Sequence, residues 1–129
     1  MTPPAEMESP SDPRVFFAAE RTLLAWQRSS LALMGFGFVI ERFSLFLAVI
    51  RSEPQHAKHH LFSLFVGVIL IVLGAAVAFA SSLAFRRFVR GLHPRDVPAG
   101  AWTGLGAAVN VFVGVVGVLL AGYLLLTAV

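Results

Sequence analysis

Arg14, Arg21, Arg28 and Arg42 are separated by seven, seven and fourteen residues, with Gly35 standing at the skipped position. Glu20, Gln27 and Glu41 keep the same register one residue earlier. On an α-helix a seven-residue step falls only about 20° short of two full turns, so both sets follow one slowly drifting polar stripe. A row of guanidinium groups suits the charge-assisted, often bidentate binding of phosphate-like anions. His56, His59 and His60 form a second cluster, and the i, i+4 pair His56 and His60 could share a helix face. Only Glu53 is near enough to join them, and the segment reads as a short loop, so a solvated or pH-responsive loop is favoured over a metal site. His93, beside Pro94, also reads as a loop residue.

Nothing else in the chain has the spacing of a reaction centre. There is no nucleophile elbow, HExxH pattern, paired-carboxylate constellation or phosphate-binding glycine loop, because the glycines near the C-terminus lack the strand and lysine that such a loop needs. The sequence therefore predicts a protein that is not an enzyme and carries no cofactor. It contains no cysteine, which excludes a disulfide framework and a thiolate metal site.

The elements that must position the stripe are set by composition. The 129 residues are 57% hydrophobic and 13% charged, with a mean hydropathy of +0.81. Soluble domains run at roughly 45–50% apolar and about 25% charged, and one small domain cannot bury such an excess internally, so the lipid bilayer is the expected solvent. The net charge of +3 does not point to nucleic acid, since the arginines flank apolar stretches instead of forming a basic domain. Residues 1–13 carry Glu6, Glu8 and Asp12 before any basic residue, with four prolines and no apolar core; they read as a disordered tail and not as a signal peptide.

Residues 14–129 then predict an all-α membrane domain of three transmembrane helices, with spans at about 22–50, 61–85 and 101–128. An amphipathic segment extends the first helix on its cytoplasmic side. The connections at 51–60 and 86–100 contain Pro54, and Gly91, Pro94 and Pro98. Strands are not expected, because the alternation of a membrane barrel is absent and three strands could not close one. Three crossings put Arg14, Arg21, Arg28, Arg86, Arg87, Arg90 and Arg95 on one side and Arg51 and Lys58 on the other. That asymmetry predicts a cytoplasmic N-terminus and an outward C-terminus, with Trp26 and Trp102 at the cytoplasmic interface.

The first helix poses a problem of depth. Its stretch without ionisable groups, residues 29–40, is only about 18 Å long, too short to span the hydrocarbon. Arg28, or Glu41 with Arg42, must lie at membrane depth or snorkel from its edges. Two readings stand. In one, an amphipathic lead-in joins an ordinary span. In the other, the stripe lines a bundle interior or a pore. The second and third spans hold no charged residue, only Asn110, Tyr123 and hydroxyls, so one chain cannot readily pair Glu41 and Arg42, and first helices from neighbouring copies could. The buried polar candidates are Gln27, Glu41 and Asn110. Gly67, Gly74 and Ser81 recur every seven residues, and Gly106, Asn110, Gly114, Gly117 and Ala121 form a small-residue stripe with Gly100 and Gly104 before it. Small faces of this kind let membrane helices approach closely.

The string Phe16-Phe17-Ala18-Ala19-Glu20-Arg21-Thr22-Leu23-Leu24-Ala25-Trp26-Gln27-Arg28-Ser29-Ser30-Leu31-Ala32-Leu33 resembles the signature of the YidH-like family of small bacterial inner-membrane proteins, the domain of unknown function 202. The resemblance covers about residues 14–128. A related domain forms the membrane part of the eukaryotic vacuolar transporter chaperone complex, a polyphosphate polymerase, in which several such domains surround a channel. By motif position the resemblance implies Glu20, Arg21 and Arg28 as candidates for lining a polyanion pathway, with Arg42 further along the same stripe. The soluble polymerase domains have no counterpart here, so polymer synthesis is not implied.

Two functions follow as expectations. One is a homo-oligomer, a trimer to pentamer in the bacterial inner membrane, with an arginine-lined pathway for anions or polyphosphate. The alternative is a structural anchor or assembly subunit of a larger membrane complex, docking through its glycine faces.

Overall fold

The computed structural model describes residues 13–51, 56–92 and 104–128. They form three helices: α1 (Pro13–Arg51), α2 (His56–Gly91) and α3 (Leu105–Ala128). No strand occurs among the described residues. Pro13 opens α1, where a missing N–H costs nothing, and no further proline intervenes before Pro54. α2 closes with a tight turn in which Leu92 N donates to Val89 O at 3.2 Å. At the start of α3 the Gly104 carbonyl accepts from Ala108 N at 2.8 Å, the position of an N-cap.

At 39, 36 and 24 residues, the helices are about 58, 54 and 36 Å long, each more than the about 30 Å of hydrocarbon in a bilayer. All three are long and apolar enough to cross a membrane. Phe36, Phe46, Phe62, Ile69, Phe112 and Leu126 are exposed on their outer faces. The protein is a small multi-pass membrane protein.

α2 overshoots its apolar stretch at both ends. His59 and His60 belong to its first turns, and Arg86, Arg87 and Arg90 to its last, instead of lying in the connections as the fall in hydropathy suggested. Hydropathy falls where charged residues begin, whereas a helix can run on through them until a breaker such as proline or glycine intervenes.

Successive helices run antiparallel, and α2 is the central one. α1 packs mainly on α2, α3 also packs on α2, and α1 touches α3 much less. The larger apolar core joins Met34 of α1, Leu64, Val68, Ile71, Ala75 and Ala78 of α2, and Ala121 and Leu124 of α3. A smaller core at the other end gathers Phe16, Leu23, Phe85 and Ala107, with the Phe16 and Phe85 rings 6.1 Å apart. That contact brings the start of α1 beside the end of α2.

Buried hydroxyl and amide groups lace the helices together. Ser30 Oγ donates to Gly74 O at 2.8 Å across α1 and α2, and Ser82 Oγ donates to Ala107 O at 3.1 Å across α2 and α3. Asn110 Nδ2 donates to Ala78 O at 3.0 Å and to Ser81 Oγ at 2.7 Å. With no water in the hydrocarbon, such donors must find protein acceptors.

Candidate functional site: the two polar rows of α1

The polar stripe of α1 resolves into two rows with different surroundings. Phe16, Leu23, Ser30 and Gly37, seven residues apart, are buried against the rest of the bundle, and Met34 and Glu41 are buried with them. Glu20, Gln27, Met34 and Glu41 are spaced by four from that set, so together they make the 3.5-residue seam of a left-handed helix pair. Glu20 and Gln27 are half-buried and line a groove between α1 and α3 with Phe16, Phe17, Gly106 and Val109.

The arginines follow one residue later, about 100° further round the helix. Arg14, Arg21 and Arg28 are all exposed, on a face that α2 and α3 leave uncovered, and Arg42 is half-buried. Arg14 and Arg28 are about 21 Å apart along the axis. Arg86, Arg87 and Arg90 are exposed at the end of α2 beside the start of α1, which makes this end of the bundle strongly basic. Trp26 is exposed nearby; Arg95, Trp102 and the proline-rich second connection lie outside the described residues.

Glu41, for which neighbouring copies were a possible source of a counter-charge, has one within its own chain. It is 5% exposed and points into its own bundle, against Gly67 of α2. Its Oε2 stands 3.4 Å from Nε of the adjacent Arg42, an ion pair within one chain. The alignment falls short of a hydrogen bond, and Oε2 accepts none from the described residues. The Arg42 guanidinium in turn lies 5.5 Å over the Phe38 ring. A neighbouring arginine can reach back along the helix surface, which a search for partners in the other spans overlooks. Asn110 is fully buried between α2 and α3, and its Oδ1 accepts no hydrogen bond from the described residues.

The glycines differ from one another. Gly67, Gly74, Gly114 and Gly117 are buried at contacts where an added Cβ would come within 3.0 Å of another atom. Gly106 is looser, with Leu23 Cδ2 3.4 Å from the position of such an atom. Ser30, Met34, Gly37 and Ser82 also sit in the contacts, though the sequence reading did not single them out. The seven-residue row Phe16, Leu23, Ser30 and Gly37 was the available signal for Ser30 and Gly37, but the charged rows beside it share its period.

Of the histidines, His59 lines a groove between α1 and α2 with Arg51, Ser44 and Ser63. His60 is half-buried, and its Nε2 has no hydrogen-bond partner among the described residues. The side chain of His56, together with Glu53 and His93, lies outside the described residues. Among those described, no three metal-ligating side chains converge.

No curated protein and no solved structure matches the chain. The model of one family does, over residues 14–91, more than half the sequence. The match takes in the arginine row, the α1–α2 seam and the basic end of α2, and stops before α3. The chain belongs to the family described as Domain of unknown function (DUF202).

Proposed function

We propose that this protein is a non-enzymatic homo-oligomer, a trimer to pentamer of the bacterial inner membrane, in which the arginine row of α1 lines a pathway for anions such as polyphosphate. The N-terminus is cytoplasmic and the C-terminus outside. The observation that carries this reading is the exposure of Arg21 and Arg28 on a face of α1 that its own bundle leaves uncovered. A lone arginine turned to lipid at the centre of a helix costs about 2.5–3.5 kcal/mol or more, so a helix that keeps such a row gives it water, a polar partner or a headgroup. Several copies arranged with this face inward would remove the cost and concentrate positive potential along one axis.

The test uses protein reconstituted in vesicles. Anion flux or polyphosphate binding should weaken with salt and fall when Arg21→Ala and Arg28→Ala are combined, while crosslinking still reports the oligomer. A folded, oligomeric protein without flux or binding would leave the other reading, an anchor or assembly subunit. Flux that survives the double substitution would assign the pathway to other residues.

A further inference from the structure

We infer that the groove between α1 and α2 at the Arg51 end of the bundle is a binding site for an anionic phospholipid. It is lined by Ile40, Phe43 and Ser44 of α1, by Arg51 at the end of α1, and by His59 and Ser63 of α2. Leu47 and Ala48 of α1 also line it between Arg51 and Ser44, so apolar side chains run from just inside Arg51 to Ile40 with Ser44 and Ser63 among them. Arg51 and His59 are exposed at the end of the helix pair, Ser44 and Ser63 are half-buried, and Phe43 and Ile40 lie further toward the middle. Arg51 and Phe43 are about 12 Å apart along α1, the reach from a phosphate through the glycerol to the upper acyl chain.

Charge and shape both favour this occupant. The Arg51 guanidinium offers a phosphate the charge-assisted hydrogen bonds that anions take most strongly, and the His59 ring and two hydroxyls line the same groove. Among the described residues no carboxylate lines it. Ile40 and Phe43 give nothing to a free phosphate ion, whereas an acyl chain buries both. At the end of a membrane-crossing helix pair a phospholipid is the ligand already present at high concentration. The site depends only on insertion in a bilayer. It shares no residue with the arginine row, so either could fail without the other.

The experiment uses the full chain in nanodiscs of mixed phosphatidylglycerol and phosphatidylcholine, with a photo-crosslinking analogue of each lipid and adducts mapped by mass spectrometry. Adducts of the phosphatidylglycerol analogue are expected at residues 40–44 and not with the phosphatidylcholine analogue. Arg51→Ala should lower their yield about fivefold, the effect of one basic group near an anionic surface. Arg51→Ala with His59→Ala should abolish the preference while adducts near Arg86 and Arg87 persist. Ser63→Leu, which fills the groove without changing its charge, should block the adducts even if the charge variants fold poorly. Equal labelling by the two analogues, labelling indifferent to all these substitutions, or loss of the adducts on adding millimolar inorganic phosphate would overturn the assignment.

Discussion

Gly37 of α1 and Gly67 of α2 meet backbone to backbone. A Cβ added to Gly37 would stand 2.5 Å from the Gly67 carbonyl oxygen, and one added to Gly67 would stand 2.6 Å from that of Gly37. Neither neighbour is a flexible side chain that could swing away, so any larger residue forces the helices apart. Membrane helices gain little from hiding apolar surface, since lipid is as apolar as leucine, and close packing supplies much of what holds this pair.

Gly67→Ala should therefore destabilise the bundle by about 1–3 kcal/mol, the usual range for overpacking a tight contact, and Gly67→Leu by more. Gly35→Ala is the control, because nothing lies within 4 Å of the added atom. It should leave stability unchanged or slightly higher, as alanine favours helix over glycine. Thermal unfolding in detergent or lipid reads both. Equal losses at Gly35 and Gly67 would show that the close approach has no special weight.

The hydrogen bonds between helices should count individually for little. Asn110→Ala removes two, to Ala78 O and Ser81 Oγ, and should cost roughly 0.6–1.7 kcal/mol by the measured range for such bonds in membranes. Ser81→Ala in the Asn110→Ala background should then cost almost nothing further. A double-mutant cycle that finds the two substitutions additive would refute the contact.

Topology has its own check. The arginine-rich ends of α1 and α2 lie together, and Arg51 and His59 lie at the other end, so reporter fusions should place residue 1 in the cytoplasm and residue 129 outside. Both termini on one side would exclude three crossings.

How much of this was legible in the sequence depends on which force set each feature. The presence of three membrane-length helices was, because a long apolar stretch answers to bilayer thickness. The ends of α2 were not, because hydropathy falls at His59 and Arg86 while the helix runs from His56 to Gly91. The charged stripe was visible as a repeat, yet Phe16, Leu23, Ser30 and Gly37 repeat with the same period, and spacing alone does not say which row turns inward. The contacts chose the row that packs, and long arginines can stay outside where the small Ser30 and Gly37 admit a neighbouring helix. The pairing of Glu41 escaped for a simpler reason: its partner is the next residue, and sequence reasoning about membrane charges looks to other helices first.

That pairing supports a last prediction, which turns on the unequal burial of its two members. The Glu41 side chain is 6% exposed and that of Arg42 is 40% exposed. Glu41→Gln keeps the side-chain volume against Gly67, removes the buried charge, and leaves Arg42 able to reach water or headgroups. Removing one partner of a buried pair is costly when the charge left behind is buried, and here the group left behind is the partly exposed Arg42, which water can reach. Arg42→Gln does the opposite, stripping the nearest counter-charge from a carboxylate whose Oε2 accepts no hydrogen bond from the described residues. Breaking a fully buried pair in this way costs about 3–5 kcal/mol, and the partial exposure of Arg42 reduces that here to about 1–2 kcal/mol. Unfolding of the two single variants and of the double variant in the same lipid should thus rank Arg42→Gln lowest, with Glu41→Gln at or above the parent and the double variant restored close to it. If Glu41→Gln proves the more damaging substitution, the carboxylate has a partner that a single copy of the chain does not supply, and the oligomer interface becomes the place to look for it.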